Sequence, residues 1–310
     1  MIKSRHFIPV VLLFSLAISL NSCKSGKQKK DAEEVDIEQF VSEEEIFNEI
    51  DNAKKIFYSL PSPLETAMLL KSAGAEYKES LLNDLANVSK YTTNMAMALN
   101  LGIYTTDLSF ASLFDQTQTS INYMDAARTM AEGLDISDAI DNQTIKELEE
   151  NLDKRDVVMD IISETFLNSS AFLKENDRED VAAIVLVGGW IEGLYIATDL
   201  IGDKDIKGNE LADRVLEQKL SFNILERLLN ENKAKSSGDE NADVIELIKM
   251  LMPLKEAFDK VDIETTAPKV EQNPETNVST IKSQTKINVD IADFREIQRV
   301  ISELRSSFIL

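Results

Sequence analysis

A chain of 310 residues with 43% hydrophobic side chains carries enough apolar material for one large or two small domains. Its 55 acidic against 33 basic residues leave a formal charge of -22, which repels phosphate backbones and argues against nucleic acid as a partner. Only 10 glycines and 6 prolines speak against a turn-rich β-sandwich or barrel, so the chain is expected to be all-α, a multi-helix bundle or helical array.

Residues 1–22 have a basic start at Lys3 and Arg5, an apolar run from Phe7 to Leu20, and a short polar step to Cys23. That pattern is a secretory signal rather than a spanning helix. Leu20-Asn21-Ser22-Cys23 resembles a bacterial lipobox, which implies acylation (palmitate among the chains) at Cys23, the single cysteine. Several acyl chains anchor a protein stably to a membrane. Lys24, where an inner-membrane retention signal would carry Asp, favours the outer membrane, facing periplasm or cell surface. Residues 23–40 then read as lipidated Cys and flexible tether. Processing before Cys23 would also remove His6, the single histidine. The mature chain would then have neither imidazole nor free thiol, which excludes Ser-His-Asp and Cys-His catalysis and His- or Cys-ligated metal sites. No cofactor or metal is expected.

Residues 41–262 read as the helical domain. Ser42 to Phe57 has helical spacing, and Ser62, Pro63 and Glu65 form a capping box with proline at the first helical position. Helices follow within Ser89–Phe114, from near Asp115 to Gly133, over Asp141–Leu152 and over Asp153–Asn176, the last with Val157, Ile161, Thr165 and Phe172 on one side. The most apolar mature stretch, Val181–Leu200, holds the single Trp, a Gly pair and one Glu, and is expected to be the buried central helix. A membrane span is disfavoured, since a carboxylate at bilayer depth costs about 2.5–3.5 kcal/mol. Gly189, Gly193 and Ala197 form a small-residue ladder for a close helix neighbour. An amphipathic helix over Asn209–Asn232 uses Leu211, Val215, Leu220, Ile224 and Leu228. Another covers Ala242–Val261, with Pro253 a kink or break. Residues 263–289 read as a polar loop with room for a short strand pair, and 290–310 as a C-terminal helix docked through Phe294, Ile297, Ile301, Leu304 and Phe308.

Gly102–Leu108 resembles Gly193–Leu200, and residues around Asp115 and Ser120 resemble those around Glu217 and Ser221, so a duplicated helical unit is one reading. Along the central stretch, Gly188, Glu192, Tyr195 and Asp199 share one side. One reading makes Glu192, Tyr195 and Asp199, with Tyr104, Asp107 and Asp115 opposite, the wall of a ligand pocket. The other bonds Glu192 to a Tyr or Arg of a neighbouring helix, where it fixes packing. The Ser-x-x-Lys spacings at Ser279 and Ser283 fall in an irregular segment and are set aside. No P-loop, dinucleotide fingerprint or EF-hand loop is present.

The lipobox, IFYSLPSPLETAMLL, VSKYTTN with LNLGIYTTDLSFASLFDQTQ, and NDREDVAAIVLVGGWIEGLYIAT together resemble an uncharacterised lipoprotein family of Bacteroidetes. The resemblance spans most of the mature chain and implies no activity. The function expected is a non-enzymatic helical binding or scaffolding domain at the cell envelope, for a protein or small-molecule partner. The alternative is a carboxylate-dependent envelope enzyme acting on glycans.

Overall fold

Two helices that are apolar all round must be buried all round, and two such helices cross at the centre of this protein. The computed structural model describes residues 68–309 except 69, 73, 138–141, 152–153, 236–241, 266–268, 273–278 and 283–284. The signal segment, Cys23, the tether, the Ser42–Phe57 stretch and the Ser62 capping box lie outside them. After 3-10 turns at Glu79–Leu81 and Leu85–Lys90 come helix α1 (Asn94–Leu113) and helix α2 (Thr117–Gly133). Next are α3 (Asn142–Glu150), α4 (Arg155–Glu175), α5 (Glu179–Ile201), α6 (Glu210–Lys235) and α7 (Ala242–Asp259), and α8 (Ile291–Ile309) closes the order. The fold is all-α and multi-helical.

Helix α5 is the expected central stretch. Glu179 and Asp180 in its first turn complement the helix dipole, and Gly202 follows its last turn with φ 55°. It is long and apolar enough to cross a membrane, yet 94% of its apolar window is buried inside the protein. Its principal partner is α1, and glycine sets their separation. A Cβ added at Gly102 would lie 2.6 Å from the Gly189 nitrogen and closer still to the Val185 carbonyl, and one at Gly188 would overlap the Leu99 carbonyl. The backbones therefore touch, and Thr106 Oγ1 donates to Gly189 O at 3.1 Å across the crossing. The contact falls at Gly188 and Gly189. Gly188 was expected on the polar side of the helix, but it serves this approach instead.

The remaining helices wrap this pair. Helix α2 packs on α1; α4 covers both α1 and α5; α6 and α7 pack on the far side of α5. There Trp190, Phe222 and Phe258 form a tilted aromatic cluster, with Trp190 Nε1 donating to Gln218 Oε1 at 3.0 Å. Helix α7 runs through Pro253 without breaking. Two side-chain stripes differ from expectation. In α4 Val158, Met159, Ile162 and Leu173 are buried, while Val157 is exposed; in α6 Leu220 is exposed and Phe222 and Leu225 are buried. Adjacent apolar pairs such as Val157-Val158 and Ile161-Ile162 fit two neighbouring stripes equally, so packing makes the choice.

Residues 262–288 form two antiparallel ladders rather than one pair. Strand β1 (Asp262–Thr265) pairs with β4 (Thr285–Asn288), and β2 (Lys269–Gln272) with β3 (Ser279–Lys282). Three residues separate β1 from β2 and two separate β3 from β4, so the register shifts by one between the ladders. Helix α8 packs on α7, α5 and α1, with Phe294, Ile297, Ile301, Leu304 and Phe308 buried as their spacing predicts. Its polar side chains hold the end of α5: Gln298 Nε2 donates to Thr198 O at 2.9 Å, and Arg295 donates to the carbonyls of Gly202 and Lys204. Gly202 and Lys204 lie just past the end of α5, and Thr198 O also accepts the Gly202 N–H at 3.1 Å.

The two halves of the resemblance between Gly102–Leu108 and Gly193–Leu200 land on the paired helices α1 and α5. Their downstream partners take different positions: Asp115 lies in the turn before α2, whereas Glu217 lies within α6.

Candidate functional site

The polar residue that interrupts α5 lies in a closed cluster. Glu192 is 0% exposed, and Arg305 of α8 grips it with a two-point fork, Nε to Oε2 at 3.0 Å and Nη2 to Oε1 at 3.1 Å. Nη2 of Arg305 also donates to Leu81 O at 3.1 Å, and the guanidinium sits 4.5 Å from the centre of the Tyr195 ring.

On the other side of Glu192 is Asp107 of α1, also 0% exposed. Its Oδ2 accepts the Asn83 backbone N–H at 3.0 Å. No N–H or O–H of a neighbouring residue meets Oδ1, and Glu192 is near enough for its charge to act on Asp107. Burial pushes Asp107 well above its usual range, and the neighbouring Glu192 charge adds to this. Burial pushes Glu192 upward too, with Arg305 opposing. Of the two carboxyls, Asp107 is the one held toward its neutral form, while Glu192 forms the buried ion pair with Arg305.

Asn83 extends the network. Its Nδ2 donates to Tyr91 Oη and to Asn100 Oδ1, both at 3.0 Å, and its carbonyl accepts from Tyr123 Oη at 2.8 Å. Asn100 Nδ2 then donates to Phe308 O at 2.8 Å and Tyr91 Oη to Ile309 O at 3.3 Å, satisfying carbonyls at the end of α8. Tyr104 Oη donates to Asp84 O at 3.2 Å. Burial raises the hydroxyls of Tyr91, Tyr104 and Tyr123, which keeps them protonated as donors. Chemically, the assembly is a clamp that ties the 3-10 turns, α1, α2 and α5 to the last helix.

Of the six residues proposed for a pocket wall, the fold gathers Glu192, Asp107 and Tyr195 around Arg305, with Tyr104 beside them. Asp199 is turned outward and pairs with Lys78 at 3.4 Å, and Asp115 sits exposed in the α1–α2 turn, 3.8 Å from Arg155. Arg305, Asn83 and Asn100 were not among the residues singled out from sequence. Arg305 had a legible signal, because it lies four residues after Ile301 and three before Phe308, on the apolar face of α8.

A separate cavity of about 90 Å³ lies between α1, α2, α3, α4 and α5. Leu101, Leu108, Met124, Ile162, Leu173 and Val185 form much of its wall. It exists because Ala127, Thr165, Ser169, Ser170 and Ala182 are too short to fill the space they face. The hydroxyls of Thr105 and Thr165 donate back to the carbonyls of Leu101 and Ile161, each at 2.7 Å, so the interior presents mainly hydrocarbon. A more open, polar groove of about 580 Å³ lies between α6 and the start of α8, lined by Asp213, Lys260, Asp290 and Asp293 among others. Among the described residues no group of three or more His, Cys, Asp or Glu is arranged to hold a metal ion.

The fold and its interior define an all-α protein with a buried Glu192–Arg305 pair and a largely apolar cavity among its helices. No family model, curated protein or solved structure matches the chain.

Proposed function

We propose that the protein is a lipid-anchored helical binding domain of the cell envelope, attached through Cys23 and without catalytic activity of its own. The supporting observation is the division of labour inside the fold. Of the interior carboxyls, Asp107 accepts from Asn83 and Glu192 from Arg305, and neither reaches solvent. Glycoside hydrolysis needs two carboxyls about 5–9 Å apart with sugar or water between them; these two are 0% exposed and held by Asn83 and Arg305, which favours the binding reading over the glycan-cleaving one. The cavity among α1–α5, by contrast, has the apolar lining typical of small-molecule sites.

The attachment rests on the sequence at Leu20–Cys23 and on Lys24 for the outer membrane. Expression with an alkyne-tagged palmitate, followed by membrane fractionation of wild type and Cys23→Ala, tests it. Label and membrane association are both expected to disappear in the variant. A Cys23→Ala protein that stays in the membrane fraction refutes the anchor.

A further inference from the structure

The cavity among α1–α5 also carries information about its ligand. In a chain of net charge -22, no Asp or Glu occurs among its described lining residues, and the one charged side chain there is Arg128 of α2. Arg128 is half exposed, and its ion pair with Glu132 engages Nε at 2.9 Å, which leaves a guanidinium fork with further N–H groups for a second anion. A hydrocarbon chamber with a lone cation among its lining matches an anionic amphiphile. Its volume of about 90 Å³ is smaller than the cavity of about 150 Å³ that holds benzene in an engineered protein, so it accepts a slender alkyl end rather than a ring.

We infer that this cavity binds the tail of a medium-chain fatty acid, with the carboxylate at Arg128. The inference rests on the binding-domain reading above and names the ligand class for it. Transfer of alkyl surface into the cavity is worth about fourfold in affinity per methylene until the chamber is full. The carboxylate adds only about threefold, because Arg128 is half in water.

The test is calorimetric titration of the full chain carrying Cys23→Ala, so that no acyl chain of its own competes. The ligands are hexanoate, octanoate, decanoate and 1-octanol. Affinity is expected to climb about fourfold per methylene and then level off. Arg128→Gln should weaken octanoate about threefold while leaving 1-octanol unchanged. Ala127→Phe, which fills the chamber, should weaken both at least tenfold; Ser169→Leu makes the same test from α4 should that variant misfold. Equal binding of octanoate and octanol, unaffected by Arg128→Gln, would overturn the fatty-acid assignment and leave a neutral alkyl site. Absence of binding by every ligand, together with no stabilisation of the fold under xenon pressure, would overturn the binding-domain reading as well.

Discussion

Replacing Arg305 with Met is the most informative single perturbation of this fold. The side chain makes three hydrogen bonds, two to Glu192 and one to Leu81 O, and stacks on Tyr195. Methionine keeps much of the volume but leaves Glu192 buried without a counter-charge and Leu81 O without that donor. Breaking a buried pair from one side costs about 3–5 kcal/mol, and the stranded carbonyl adds about 1 kcal/mol. Protonation of Glu192 relieves part of this, so we expect a loss of about 4 kcal/mol at neutral pH, a large share of a typical stability of about 5–15 kcal/mol. Urea unfolding followed by far-ultraviolet circular dichroism and by Trp190 fluorescence would measure it. A carboxyl whose folded pKa lies above its unfolded value stabilises at low pH and loses that contribution as pH rises through the folded pKa. The Arg305→Met deficit should therefore shrink as pH falls toward the ordinary glutamate value of 4.5. Adding Glu192→Met should recover most of the loss, since hydrophobic replacement of a whole buried pair is often neutral or better. A single-variant loss below about 1 kcal/mol, or a double variant no better than the single, would refute the clamp.

Asp107 binds its proton more tightly folded than unfolded, so wild-type stability should decline as pH rises above the ordinary aspartate value of 3.8. Asp107→Asn should remove that decline and match or exceed wild type at pH 8, as pH-dependent thermal melts would show. Gly188→Ala places a methyl against the Leu99 backbone and should cost about 1–3 kcal/mol or more in chemical denaturation, despite alanine's better helix propensity. Asp115, Asp135 and Asp177 each hold a left-handed residue just after α1, α2 and α4, with φ between 54° and 58°. Asp135→Ala should cost about 1 kcal/mol and Asp135→Gly little, a contrast that thermal unfolding can resolve.

Several of these features were legible one residue at a time. The mixture of Gly, Glu and Tyr in an otherwise apolar Val181–Leu200 was enough to mark a buried core helix with a polar obligation, and the spacing from Phe294 to Phe308 marked a docked last helix. Helix periodicity is local chemistry, so it needs no knowledge of the partner.

The sequence by itself therefore determined the helical class, the central helix over Val181–Leu200 and the presence of a carboxylate within it. The tertiary structure decided with whom. Arg305 stands 113 positions from Glu192, and only folding selects it from 33 basic residues. The same holds for Asp107, which is drawn inward and kept protonated, while Asp115 and Asp199 turn to solvent and pair there. Whether a carboxylate becomes part of a core or of a surface depends on which helix face another helix covers. That choice belongs to packing, because burial is a property of neighbours and not of the residue.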